Sequence, residues 1–302
     1  MRNNAVRNRV RHSGGDIVFN LLLYVFAAAI IVITIYPLYF IVIASISNPS
    51  LVASGNVWLW PKGLNVDGYR ELAKRMDFWK GYRNTIAYTG VGTLLALIVN
   101  VPAAYALSRR DLVGRGVIQI YFLITMFFNG GLIPTFMTIQ GFGLYDTFWV
   151  IVLPFCVSVY NMVVARTFFS TSLPADLLDA AQIDGCGNLR FFMRIALPLS
   201  KAVLAVIALW TAVGHWNQYF NSLIYTRDPE LLPLQLILRN ILIINQQQES
   251  LLGSGEAQSE AIRIGMLLRF VCIIVSTLPI MCVYPFLQKY FNQGVMIGAI
   301  KG

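Results

Sequence analysis

The chain has 302 residues, of which 57% are hydrophobic and only 12% charged, with a mean hydropathy of +0.64. Soluble domains carry about 25% charged residues, so a soluble enzyme is excluded and a polytopic membrane protein is predicted. The net charge of +9 does not point to nucleic acid, because the basic residues gather at the ends of hydrophobic runs rather than along one stripe.

Residues 1–16, MRNNAVRNRVRHSGGD, form a basic segment ahead of a run too long for a signal-peptide core and without a convincing cleavage site, so a retained signal anchor is expected. Stretches of spanning length lie near 17–46, 84–108, 117–140, 146–168, 199–225 and 264–291. They predict an all-α domain of six transmembrane helices over 17–291, followed by a tail at 292–302. Six crossings place both termini on one side. The tight connection SRRDLVGRG holds Arg109, Arg110 and Arg115, whereas QGFGLYDT has no basic residue. Both termini are therefore assigned to the cytoplasm. The long connections near 47–83 and 226–263 then face outward as a receiving surface.

Pro37, Pro102, Pro134, Pro154, Pro198, Pro279 and Pro285 lie in or beside the predicted spans, as bundle kinks or as hinges. Asn129, Gly130, Gly131 and Pro134 concentrate an amide, two flexible residues and a helix breaker at mid-span. That grouping suggests either irregular backbone lining a cavity or a packing kink. Cys156, Cys186, Cys272 and Cys282 have no metal-type spacing and read as small packing residues.

Between the fourth and fifth stretches, SLPADLLDAAQIDGCGNLRFFMRIALPLSK (172–201) is polar enough to lie outside the hydrocarbon. Two short helices are predicted. Thr171 or Ser172 caps the first, with Pro174 and Asp176 in its first turn, and Gly185 or Gly187 stops it. Asn188 caps the second, which runs through Arg190 and Arg194 to Pro198 and on into the next span. Leu177, Ala180, Ala181 and Asp184 share one face, where two alanines permit close approach.

Chemistry is largely missing. His12 and His215 are the only histidines, no G-x-x-x-x-G-K-[ST] loop occurs, and no span has a central Asp or Glu. These absences disfavour a catalytic triad, a built-in ATPase and a self-powered ion-coupled carrier. A pathway for a sugar, with its apolar faces and polar rim, has candidates in the fifth and third stretches. They are Trp210, His215, Trp216, Asn217, Gln218, Tyr219, Phe220 and Asn221, with Phe127, Phe128, Asn129, Gly130 and Gly131; an interfacial aromatic belt or simple packing is the other reading. The spans offer no clear cationic cluster for an acidic cargo.

Asp179-Ala180-Ala181, three residues, Gly185, nine residues, Ile195, one residue and Leu197-Pro198 resemble the E-A-A-x3-G-x9-I-x-L-P loop in permease subunits of binding-protein-dependent ABC importers. Asp179 stands where that loop has Glu, one methylene shorter. MFFNGGLIPTF (126–136), WTAVGHWNQYFNSLIY (210–225) and YPFLQKYFNQGVMIGAIKG (284–302) extend the resemblance to the maltose-type smaller permease subunit of oligosaccharide or polysaccharide importers. This resemblance implies a type I importer fold in a bacterial cell membrane. It also implies a pore shared with a second homologous permease, two cytoplasmic ATPase subunits and an extracellular solute-binding protein. ATP and Mg would belong to the ATPases, with no cofactor and no nucleic acid bound by this chain. Asp179, Ala180, Ala181, Gly185, Ile195, Leu197 and Pro198 would couple to the ATPase, and Ile300, Lys301 and Gly302 would reach between the ATPase subunits, unless the tail is a frayed terminus. A peptide or glycerophosphodiester is the alternative cargo, and a stand-alone secondary carrier the alternative machine.

Overall fold

The computed structural model describes residues 14–251 and 256–299, and all regular structure among them is helical. In chain order the helices are α1 (Gly14–Ser45), α2 (Pro49–Ala53), α3 (Asp67–Lys74), α4 (Met76–Ser108), α5 (Arg115–Phe127), α6 (Leu132–Gly141), α7 (Phe148–Val152) and α8 (Val159–Ser172). Then follow α9 (Ala175–Ile183), α10 (Asn188–Leu199), α11 (Lys201–Trp216), α12 (Phe220–Tyr225), α13 (Leu234–Leu251) and α14 (Glu256–Ala299).

α1 carries no charged residue after Asp16 and is apolar on every side, as a helix surrounded by lipid must be. It meets the bundle near its end, where Phe40 lies edge-on to Phe270 at 6.0 Å. α4 is the central helix. Gly81, Thr85, Tyr88, Gly92, Ala96, Asn100 and Ala104 recur every three to four residues and are all buried. Small residues at that spacing let neighbouring backbones come close, and α8, α11 and α13 pack against the helix. A Cβ on Gly92 would run into the His215 imidazole, so the contact between α4 and α11 depends on a glycine.

The stretches expected as spans are not all single unbroken helices. Among the described residues three helices are long and apolar enough to cross a bilayer, Gly14–Ser45, Met76–Ser108 and Ile262–Val283. Two further stretches are bent pairs, α5 with α6 at 113° and α10 with α11 at 79°. The stretch expected near 146–168 breaks between Val152 and Val159 into helices of 5 and 14 residues. At 1.5 Å per residue neither approaches the ~30 Å of hydrocarbon. Prolines mark some of these breaks but do not dictate them. Pro154 sits in the gap between α7 and α8, and Pro198 just before the bend, yet Pro37, Pro102 and Pro279 lie within continuous helices.

Three apolar cores hold the bundle. One, at the end carrying Arg109, Arg110 and Arg115, joins Val101, Ala104 and Tyr105 to Phe169, Phe191, Phe192 and Ile207. A second gathers Leu72, Phe78, Trp216, Leu234, Leu268 and Val271. The third centres on Tyr88, Ile139, Ile151 and Tyr225.

Candidate functional site

The segment 172–201 folds as a hairpin of α9 and α10. α9 starts after Pro174, whose backbone holds the N-cap position without a side-chain cap. Thr171 and Ser172 do not cap it. They belong to α8, where the Thr171 hydroxyl donates to the Thr167 carbonyl at 3.0 Å. Gly185 ends α9 in the left-handed region at φ +73°, with its N–H donating to the Gln182 carbonyl at 2.9 Å and the Cys186 N–H to the Ala181 carbonyl at 2.8 Å. That pair of bonds is a Schellman closure, and its left-handed residue explains a glycine at this place. Gly187, rather than Asn188, precedes α10, so Asn188 is its first residue and not its cap. α10 widens to π-helical hydrogen bonding over Phe192–Ala196 and bends by 79° into α11.

The face expected to unite Leu177, Ala180, Ala181 and Asp184 is split. Ala181 is buried in the first core with Leu177 and Leu178 packed around it, while Ala180 and Asp184 are exposed. The motif divides in the same way: Ile195 and Leu197 pack inward, and Asp179, Gly185 and Pro198 face outward. Tyr105 is the anchor between hairpin and bundle, its ring 4.8 Å from Phe192, 5.6 Å from Phe169 and 6.5 Å from Phe191. Beyond that anchor the hairpin presents Ile183, 87% exposed, and Leu189, 75% exposed, with Met193 beside them in an otherwise polar surface. None of the three was singled out from sequence. The available signal was apolar residues in a segment too polar to sit in lipid.

A second constellation lies where α8 and α11 face each other. A cavity of about 420 Å³ is lined by Ser158, Tyr160, Asn161, Trp210, His215 and Gln218, among others. The Tyr160 and Trp210 rings stand 5.7 Å apart, and the Asn161 amide donates to the Thr211 hydroxyl at 3.4 Å. The His215 Nδ1 is buried without a hydrogen-bond partner among the described residues. Asn100 supports this wall from α4. Its amide donates to the Cys156 and Ala96 carbonyls, each at 2.7 Å, and its oxygen accepts from the Ser158 N–H at 2.8 Å. The broken backbone between α7 and α8 thereby finds its partners inside the protein, the condition for irregular backbone at membrane depth. Aromatic faces, amides and hydroxyls in one cavity suit a polyhydroxylated ligand.

Of the sequence candidates for this pathway, Trp210, His215 and Gln218 line that cavity. Trp216 is a packing residue, donating from Nε1 to the Ser276 carbonyl at 2.8 Å with its ring edge-on to Tyr82. Asn217 closes the C-terminus of α11, and Tyr219 is exposed, with the Arg239 guanidinium 5.8 Å from its ring centre. Asn129, Gly130 and Gly131 form the turn between α5 and α6, in which the Asn129 side chain accepts from the Gly131 N–H at 3.0 Å and Gly131 takes φ +81°. Gly130 lines a different cavity, about 740 Å³, with Pro134, Phe142, Leu153 and Pro154. The two cavities flank the break between α7 and α8, since Leu153 and Pro154 line one, and Phe155 and Cys156 the other. Sequence reasoning missed Tyr160 and Asn161 because no motif links α8 to α11. Ile300, Lys301 and Gly302 lie outside the described residues.

Charge is concentrated near the hairpin. Arg109, with its side chain only 12% exposed, pairs with Asp111 through Nε at 2.8 Å and Nη2 at 2.7 Å, and donates to the Tyr105 hydroxyl at 3.1 Å. The guanidinium holds the Asp111 carboxyl below the usual carboxylate range. No group of three or more metal-binding side chains occurs among the described residues.

Residues 81–297 match the family described as binding-protein-dependent transport system inner membrane component. Protein LplC of Bacillus subtilis (strain 168) is 35% identical over 285 residues, covering 94% of this chain and 95% of LplC. The polygalacturonan/rhamnogalacturonan transport system permease protein YtcP of the same organism is 34% identical, covering 94% of this chain and 98% of YtcP. A crystal structure of a bacterial ABC transporter involved in the import of the acidic polysaccharide alginate contains a chain that superposes with a TM-score of 0.82. That chain is 31% identical, and the match covers 93% of this chain and 99% of the other. On a match along most of its length, the chain belongs to the family of binding-protein-dependent transport system inner membrane components, the membrane-spanning part of ABC importers.

Proposed function

We propose that the chain is the permease subunit of an ATP-driven importer for an oligosaccharide or polysaccharide, with the α9–α10 hairpin as its coupling element. The observation that carries this reading is the hairpin itself: a short element closed by Gly185, anchored on Tyr105 and tipped with exposed Ile183 and Leu189. An apolar tip outside the bundle is suited to a protein cleft. Asp179, Ala180, Gly185 and Pro198 would meet the ATPase, while Ala181, Ile195 and Leu197 would pass its movement into the bundle. The termini and the arginine-bearing end would be cytoplasmic, following the positive-inside rule. A second homologous permease would complete the pore and two cytoplasmic ATPase subunits would hold ATP and Mg. An extracellular solute-binding protein would deliver the cargo. This chain would bind no cofactor and catalyse no reaction.

A saccharide cargo is supported by the Tyr160–Trp210 pair beside Asn161 and His215, and by the cargo named for YtcP and for the alginate importer. Both of those named cargoes are acidic. Arg239 is exposed over Tyr219 and makes no ion pair among the described residues, which favours a carboxylated sugar. The test is reconstitution with the partner permease, ATPases and binding protein, measuring saccharide uptake and saccharide-stimulated ATP hydrolysis. Gly185→Ala strains the backbone without adding bulk, whereas Gly185→Trp also blocks the docking surface. The expected result is an assembled Gly185→Trp importer that hydrolyses ATP without saccharide stimulation. Intact coupling in that variant would remove the hairpin's assigned role.

A further inference from the structure

The arginine-bearing end contains a cavity that the transport reading does not use. It measures about 720 Å³ and lies between the α4–α5 connection, the last turns of α8 and α9. Arg110, Arg115 and Arg166 line it beside the paired Arg109 and Asp111, and the only other acid at its wall is Asp179. Asp179 makes no ion pair among the described residues, so positive charge predominates. The Arg166 Nε is buried there without a hydrogen-bond partner among the described residues. A charged N–H group shut away from an acceptor is costly, so an acceptor from another molecule is called for.

We infer that this cavity takes the phosphate headgroup of an anionic phospholipid. The guanidinium fork matches phosphate oxygens in pairs; Arg166 and Arg115 line the cavity from two different helices, Arg115 with its remaining N–H groups beside the bond that its Nη1 gives the Arg109 carbonyl at 3.3 Å. The location selects the lipid. Arg109 follows the last residue of α4, Arg115 opens α5 and Arg166 is six residues from the end of α8, so the basic wall sits where the chain leaves the hydrocarbon. Phe169 and Leu173 add an apolar wall beside the arginines, a combination that fits a headgroup with the start of its chains. The apolar surface offered to a protein, Ile183 and Leu189, is not part of the cavity wall, and of the residues assigned to the ATPase contact only Asp179 borders it. Asp179 gives the site a further consequence. One more methylene, as in Glu, would carry its carboxylate farther from α9, so the shorter acid leaves more room for a phosphate. A lipid held by Arg115 and Arg166 against Asp179 and Gln182 would tie the base of the hairpin to the bundle.

The inference rests on the proposed cytoplasmic placement of this end, and its test is independent of transport. The assembled importer is equilibrated with phosphatidylcholine vesicles containing phosphatidylglycerol, purified, and its retained lipid measured by native mass spectrometry. The parent is expected to retain phosphatidylglycerol over phosphatidylcholine. Arg166→Gln and, separately, Arg115→Gln should each lower that retention several-fold, Asp179→Glu should lower it as well, and Arg190→Gln on the exposed side of α10 should leave it unchanged. Equal retention by the parent and both cavity variants overturns the inference, as does an equal loss in Arg190→Gln, which would indicate general surface attraction. Displacement of the lipid by inorganic phosphate would also overturn it, in favour of a small-anion site. An importer that retains phosphatidylglycerol as expected but shows no saccharide-stimulated ATP hydrolysis keeps the lipid site and removes the transport reading.

Discussion

The two ends of the bundle are fastened by different physics. At the arginine-bearing end, aromatic rings do the holding, with Tyr105 against Phe169, Phe191 and Phe192. At the other end, directional hydrogen bonds tie α4 to the connection before α13. The Asn84 amide donates to the Glu230 and Leu232 carbonyls, the Tyr88 hydroxyl donates to the Leu231 carbonyl at 2.7 Å, and the Leu234 N–H donates to the Thr85 hydroxyl at 2.8 Å. Asp146 adds a clasp, accepting from the N–H groups of Arg227 at 2.7 Å and Asp228 at 2.9 Å. Apolar contacts are non-directional and tolerate a change of angle, whereas hydrogen bonds weaken steeply with misalignment. The comparison predicts that the hairpin end gives way to a change of angle more readily than the other.

The sharpest way to break this contrast is Tyr105→Ala. Removing a buried aromatic side chain costs about 3–5 kcal/mol, and here the loss should fall on the hairpin, visible as faster proteolysis within 172–198 and ATP hydrolysis that no longer responds to cargo. Tyr105→Phe keeps the ring and should leave coupling near normal. Uniform destabilisation without local loosening would contradict the anchoring role. Next comes Asn100→Leu, which strips acceptor and donors from the break between α7 and α8. Leaving the Ser158 N–H and Cys156 carbonyl unpaired costs roughly 1–3 kcal/mol for each group. Cys156, buried in the parent, should become reactive to maleimide.

A smaller effect is expected from Gly92→Ala, whose new methyl meets the His215 ring; overpacking of this kind costs about 1–3 kcal/mol. The double variant Gly92→Ala/His215→Ala should recover part of the loss in thermal melting, and full additivity would deny the contact. The smallest change belongs to Asp146→Ala, at about 1–2 kcal/mol from the two unpaired N–H groups of an exposed clasp. Hydrogen exchange at Arg227 and Asp228 should rise while the hairpin end is undisturbed. A loosened hairpin in that variant would mean that the two ends are not mechanically separate.

Much of the hairpin was legible in the sequence. The spacing from Asp179 to Pro198 located the hairpin, and Gly185 stands at the left-handed position that such a turn requires. The caps were misplaced because Pro174 and Gly187 serve through backbone conformation, which leaves no side-chain trace. Trp216 illustrates the limit for the pathway. Its position beside His215 on α11 suggested a shared role, but adjacent helical residues point about 100° apart, so His215 meets the cavity and Trp216 the second core.

By itself, the sequence determined what depends on composition and short-range spacing. That includes the apolar stretches that belong in lipid, the arginine-rich end and the hairpin motif. Only the tertiary structure decided which stretches run unbroken, which face of α9 is buried, and that Tyr160 and Asn161 meet Trp210 and His215. It likewise decided that Arg115 and Arg166 share one cavity with Asp179. The reason is that hydrophobicity and helical periodicity are local quantities, whereas these decisions depend on residues about 20 to 70 positions apart finding partners across the bundle.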